Sequence, residues 1–160
     1  MKMKTKIKLI ILDVDGTLTD GGIYYGSDGT EYKRFCVQDG TGILAAEKAG
    51  IEFAILTARE SPIVLQRAKD LKISHVYQNI WYKKEKLKEL MNGLNLTTEN
   101  VAYFGDDTID LEAMSLCSFV ACPSNACKEV KAVSSYISPY EGGHGAVRDI
   151  LDHMAEQSLF

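Results

Sequence analysis

The stretch Leu9-Ile-Ile-Leu-Asp-Val-Asp-Gly-Thr-Leu-Thr-Asp20 decides the fold. Four consecutive apolar residues suit a strand buried on both faces, the pattern of a parallel strand covered by helices on either side. The run ends at Asp13 and Asp15, and in open α/β sheets ligands gather at the carboxyl ends of strands. Residues two apart on an extended chain project the same way, so two carboxyl groups face one crevice, with Gly16 supplying flexibility behind them. Such a pair can bind a divalent cation and work as nucleophile and acid. The structural alternative makes both acids turn or helix caps.

Working outward, short apolar runs recur at Phe53–Leu56, Val76-Tyr77, Val101–Phe104 and Phe119–Ala121. Between them Gly42–Ala49, Pro62–Leu71, Lys83–Leu94 and Leu111–Leu116 carry apolar residues at helical spacing, and Ala146–Met154 closes the chain as another helix. Ser61 is the expected cap of the helix that Pro62 begins. Alternating strands and helices predict an α/β fold, a Rossmann-like doubly wound parallel sheet. At 160 residues the chain is expected to form a single domain. One insertion follows the first strand, at about residues 21–37, where Ser27-Asp28-Gly29 separates two aromatic-rich runs and reads as a β-hairpin. Its apolar residues Ile23, Tyr24, Tyr25, Tyr32 and Phe35 are expected to pack on a neighbouring subunit, since a lone hairpin is marginal in water.

Composition sets bounds on partners. The net charge is −4, and no basic run exceeds Lys83-Lys84, which argues against nucleic acid or an anionic membrane surface. A phosphate-bearing ligand then needs a metal or a local basic cluster. Cys36, Cys117, Cys122 and Cys127 form no C-x-x-C pair and read as reduced thiols. The start, Met1-Lys2-Met3-Lys4-Thr5-Lys6, imitates a signal-peptide basic region, but the apolar run Ile7–Leu12 is interrupted by Lys8 and closed by Asp13. It is too short for export or for a membrane span, so a cytoplasmic protein is expected.

Three further stretches lie at expected strand ends. Thr57-Ala58-Arg59 offers a hydroxyl and a backbone amide that can hold phosphate oxygens, or a simple helix cap. Lys83 opens a helix and can supply a fixed positive charge, or stay solvated. Gly105-Asp106-Asp107-Thr108-Ile109-Asp110 concentrates three acids after an apolar strand, a costly arrangement unless a cation neutralises it. As a bare structural reading, Asp106 or Asp107 caps the next helix.

In this order, Asp-x-Asp-Gly-Thr, a strand-end Thr, a helix-start Lys and Gly-Asp-Asp-x-x-Asp resemble the four motifs of the haloacid dehalogenase superfamily of phosphotransferases. More narrowly, Asp13–Gly21, the hairpin to Phe35, Gln38-Asp39-Gly40, Val101–Asp107 and Gly142–Arg148 resemble the 3-deoxy-D-manno-octulosonate 8-phosphate phosphatases. The resemblance implies a capless, tetrameric, Mg²⁺-dependent phosphomonoesterase acting in lipopolysaccharide precursor synthesis. It implies Asp13 as nucleophile, Asp15 as acid and base, and Asp13, the Asp15 carbonyl and Asp106 as metal ligands. Asp107 and Asp110 then give direct or outer support to the metal, and Thr57, Ala58 and Lys83 bind the phosphoryl group. Arg59 is expected to pair with the substrate carboxylate, and relatives acting on nine-carbon sugar acids carry Glu there. Arg148 and the segment Gly142–Gly145 resemble a mobile C-terminal element that reaches the substrate. The chain departs from many members at Ala58, where Gly is common, and at Thr17, where Val is. A phospho-accepting receiver domain is the alternative from another class, but it requires an Asp where this chain has Thr57; a regulatory phosphatase-like subunit is a third reading.

Overall fold

The computed structural model describes residues 6–160; the basic start, apart from Lys6, lies outside the described residues. The first strand, β1 (Leu9–Leu12), is buried throughout. The chain then makes a tight turn at Val14–Leu18, followed by a hairpin of two two-residue strands, β2 (Tyr24–Tyr25) and β3 (Glu31–Tyr32). Next come α1 (Val37–Lys48), β4 (Glu52–Leu56), α2 (Pro62–Asp70), β5 (His75–Tyr77), α3 (Lys83–Gly93), β6 (Val101–Phe104), α4 (Leu111–Met114), β7 (Phe119–Cys122), α5 (Lys128–Val133), β8 (Tyr136–Ile137) and α6 (Ala146–Glu156).

Six strands pair in parallel in the order β5-β4-β1-β6-β7-β8. The chain winds one way from β1 through β4 to β5, then returns to β6 on the other side of β1. The sheet therefore has its topological switch point at β1, where a crevice opens at the strand ends. Alternate residues feed two cores. Ile10, Leu12, Phe53, Ile55, Ala102 and Phe104 meet Ile43 of α1, Val64 of α2 and Ile150 of α6. Leu9, Ile11, Ala54, Leu56, Val101 and Tyr103 meet Leu87 of α3, Met114 of α4 and Val130 of α5. This is the doubly wound α/β sheet expected from the sequence, and the segment between β1 and α1 is a hairpin rather than a cap domain.

Three local readings change. The first helix begins at Val37, not Gly42, with Gly40 and Gly42 inside it; Gly42 faces α6, where a β-carbon would lie 2.9 Å from Arg148 Cδ. Two short elements, α5 and β8, carry too few residues to show a period. Phe35 is not left for a neighbour: it packs against the core and lies under the Arg67 guanidinium, 5.4 Å from the ring centre. Ser61 caps α2 as expected, accepting from Ile63 N–H at 3.3 Å with Pro62 in the first turn. No helix among the described residues is long and apolar enough to cross a membrane.

Candidate active site

The register of β1 brings the site together. Leu12 lies beside Ile55 of β4 and Phe104 of β6, so the residues just beyond these strands meet at one edge. Asp13, its N–H bonded to Phe104 O at 3.0 Å, is 6% exposed. Thr57 is buried, and its backbone is held by Tyr77 O and Ile80 N–H, both at 3.0 Å.

After Asp13 the chain turns sharply. Asp15 is extended, Gly16 takes φ +97°, and Thr19 N–H closes the turn on Val14 O at 3.0 Å. Gly16 is required twice over: its φ disfavours other residues, and a β-carbon there would sit 2.0 Å from Asp106 Oδ2. Thr19 Oγ1 accepts from Gly16 and Gly21 N–H at 3.2 Å. The C-terminal segment braces the same turn, for a β-carbon on Gly142 would lie 2.0 Å from Gly16 O.

Lys83, at the start of α3, reaches into the crevice with its side chain 1% exposed. Its Nζ donates to Asp13 Oδ1 and to Asp110 Oδ1, both at 2.7 Å. Asp110 is fully buried; its Oδ1 also accepts from Tyr103 O–H at 2.7 Å, and its Oδ2 from Asp106 N–H at 3.1 Å and Asp107 N–H at 3.3 Å. Asp106 accepts from Thr17 Oγ1 at 3.2 Å.

The electrostatics suit a divalent cation. Asp13, Asp106 and Asp110 each offer an oxygen within 4.8 Å of the others. Three carboxylates against the single Lys83 ammonium leave two negative charges, the complement of a divalent cation. Burial first, and then Asp110, push the Asp13 carboxyl well above its ordinary range despite Lys83. Burial and Asp110 likewise raise Asp106 to about 6, against the hydrogen bonds it accepts. Burial would lower the Lys83 ammonium, but Asp13 and Asp110 reverse that and raise it. An oxygen-rich, electron-rich cradle of this kind fits Mg²⁺.

A family model for haloacid dehalogenase-like hydrolases matches residues 75–150. The 3-deoxy-D-manno-octulosonate 8-phosphate phosphatase KdsC of Escherichia coli K12 is 41% identical over 146 residues, 91% of this chain and 78% of that protein. This chain belongs to the 3-deoxy-D-manno-octulosonate 8-phosphate phosphatase family. The KdsC of Haemophilus influenzae is 38% identical over 91% of this chain and 81% of its own length. Among solved structures, the family's phosphatase from Moraxella catarrhalis, in complex with magnesium, phosphate and KDO, matches with TM-score 0.92 and 43% identity over 96% of this chain and 88% of that one. The cobalt-bound phosphatase from Haemophilus influenzae matches at TM-score 0.90 and 36% identity, covering 95% of this chain and 89% of the other.

Within this family's frame, the fold brings together Asp13, Lys83, Asp106 and Asp110, with Asp15 two residues further along the turn and Thr57 at the end of the neighbouring β4. Asp107 is exposed, and its carboxylate caps the following turn by accepting from Thr108 N–H at 2.7 Å; it is not one of the three acids whose oxygens gather. Arg59 pairs with Glu31 at 3.1 Å, and its Nε lies 3.9 Å from Asp15 Oδ2. Arg148 stays away from the acids, bonding Asp152 at 2.9 Å beside a cleft of about 270 Å³ lined also by Gln38, Tyr140 and His144. Sequence reasoning missed Tyr103, which a lone hydroxyl inside an apolar strand could have flagged. It also missed Lys33, for which no local signal exists.

Proposed function

We propose that the chain is a Mg²⁺-dependent phosphomonoesterase that hydrolyses 3-deoxy-D-manno-octulosonate 8-phosphate to the free sugar acid and phosphate. The observation that carries this is the buried cluster Asp13, Asp106 and Asp110, with Lys83 bonded to two of its members at the switch point of the sheet. Mg²⁺, held by Asp13, the Asp15 main-chain carbonyl and Asp106, supplies positive charge to the phosphoryl oxygens and to the attacking carboxylate. Thr57, the Ala58 amide and Lys83 position the phosphoryl group, where placement and charge provide most of the catalysis.

A carboxylate oxygen of Asp13 attacks phosphorus as the bond from phosphorus to the sugar oxygen breaks, giving an aspartyl phosphate. Asp15 gives its proton to the departing oxygen. Water then attacks the same phosphorus while Asp15 takes a proton back, which releases phosphate and restores Asp13. Asp110 acts through its neighbours: it fixes Lys83 and the backbone beneath Asp106. Arg59 reaches the sugar-acid carboxylate by exchanging its Glu31 partner for the substrate.

The same reading makes the chain a single-domain cytoplasmic homotetramer in lipopolysaccharide precursor synthesis. Its support is the hairpin, which leaves Ile23, Tyr24, Tyr25 and Tyr32 exposed on an arm that carries Lys33 to Asp15. A subunit packed there would cover the apolar arm and exclude water from the crevice. Phosphate release from a panel of phosphorylated eight- and nine-carbon sugar acids tests the substrate. Preference for the eight-carbon 8-phosphate is expected, and equal or better turnover of the nine-carbon 9-phosphates refutes it. Sedimentation at several concentrations should show four copies; a monomer throughout refutes the assembly.

A further inference from the structure

We infer that Lys33 is a positioning residue for Asp15, holding in place the carboxyl group that serves the leaving oxygen. Nothing in the turn that carries Asp15 holds its carboxyl: the backbone is extended there, and Gly16 follows at φ +97°. The hold comes from the hairpin. Lys33 Nζ lies 2.5 Å from Asp15 Oδ1 and 3.3 Å from Glu31 Oε1, and its side chain is 3% exposed. On an arm whose tyrosines face solvent, that burial is exceptional. Lysine is rarely buried unless it is paired, and it loses about 1.5–2 kcal/mol of rotamer freedom in doing so.

The placement is built rather than incidental. An isolated antiparallel bridge joins Thr19 to Phe35, tying the end of the catalytic turn to the root of the hairpin. From that hairpin the Lys33 side chain reaches Asp15 across 18 residues of chain. Glu31 braces the ammonium from the other side and is itself held by Arg59 at 3.1 Å. The hairpin and the loop after β4 thus converge on one carboxyl group.

The chemical consequence follows from hydrogen-bond valence. An ammonium has donors only, so Oδ1 acts as acceptor toward Lys33, while Arg59 Nε lies 3.9 Å from Oδ2; the carboxyl is held between two cations. In the first step the O–H bond of the Asp15 carboxyl breaks, the sugar oxygen gains that hydrogen, and the phosphorus–oxygen bond cleaves. In the second step the Asp15 carboxylate takes a proton back from water. Lys33 itself forms and breaks no covalent bond.

This inference rests on the phosphatase reading, and the leaving group separates the two. A sugar alkoxide needs protonation to depart, whereas p-nitrophenolate departs without it. kcat/KM for each ester reports the first phosphoryl transfer. In Lys33→Met it should fall at least about tenfold further for the sugar-acid phosphate than for p-nitrophenyl phosphate, within the range general acid catalysis contributes, and Lys33→Arg should recover part of that excess. Glu31→Gln, which loosens the brace and keeps Lys33, should show a smaller loss with the same asymmetry; it decides the matter if circular dichroism shows Lys33→Met unfolded. Equal losses on both esters, or a loss confined to KM, overturn the inference and leave the phosphatase reading standing. Failure of the wild-type protein to release phosphate from either ester overturns both.

Discussion

Lys83 Nζ donates to Asp13 Oδ1 at 2.7 Å across 70 residues of chain, inside a crevice where its own side chain is 1% exposed. Removing one partner of a buried pair leaves the other charge uncompensated, at a typical cost of about 3–5 kcal/mol. Lys83→Met should therefore lower the melting temperature of the metal-free protein and reduce turnover by about 10²-fold or more. Wild-type kcat in this variant would show that the ammonium takes no part in phosphoryl transfer.

Asp13→Asn keeps the shape of the side chain and removes the attacking oxygen's charge. Turnover should fall by roughly 10⁴-fold or more, as for other nucleophile deletions, with the circular dichroism spectrum unchanged. Burial and the neighbouring acids press against ionisation of Asp13, so the metal-free variant should also melt no lower than the wild type. Residual turnover near the wild-type level would remove Asp13 from the nucleophile's role.

Chelation tests the acid cluster without mutation. EDTA should abolish phosphate release and lower the melting temperature, and excess Mg²⁺ should restore both. At 100 times its dissociation constant a ligand of the native state adds about 2.7 kcal/mol. Activity that persists after exhaustive chelation would contradict the assignment of Asp13 and Asp106 as ligands.

Gly142 touches the catalytic turn through its missing side chain. A β-carbon 2.0 Å from Gly16 O must push the turn or the C-terminal segment aside, at about 1–3 kcal/mol for overpacking. Gly142→Ala should lower kcat by about 10- to 100-fold through misplacement of Asp13 and Asp15, while the protein stays folded. Unchanged kinetics would mean that the C-terminal segment does not brace the turn.

Asp39 gives a pH dependence with a definite sign. It is 1% exposed, its Oδ1 accepts from Arg148 N–H at 2.9 Å at the start of α6, and burial raises its carboxyl to about 6 from 3.8. A raised value means that the native state holds the proton more tightly than the unfolded chain. The stability this confers is complete below about pH 4 and is lost as pH rises through about 6, up to about 3 kcal/mol. With Mg²⁺ saturating, the melting temperature of the wild type minus that of Asp39→Asn should decrease between about pH 4.5 and 7.5. An increasing difference would refute the assignment.

Local patterning made much of this legible. Leu9–Leu12 and Val101–Phe104 read as buried strands because they are apolar on both faces, and Ser61-Pro62 reads as a helix start because cap and fixed φ are properties of neighbouring residues. The start of α1 was not legible: Gly40 and Gly42 look like breakers, yet both lie inside the helix. Asp107 and Asp110 are equivalent acids in the sequence, and only folding separates them into an exposed cap and a buried hub.

By itself, then, the sequence determined the alternation of strands and helices and the arrival of acids at strand ends, since both follow from side-chain period and chain direction. The tertiary structure decided which groups meet. The parallel register of β1 with β4 and β6 brings the strand ends that carry Asp13, Thr57 and Asp106 to one edge, α3 carries Lys83 to Asp13, and the hairpin carries Lys33 to Asp15. These are contacts between distant residues, fixed by how layers pack, and no local pattern encodes them.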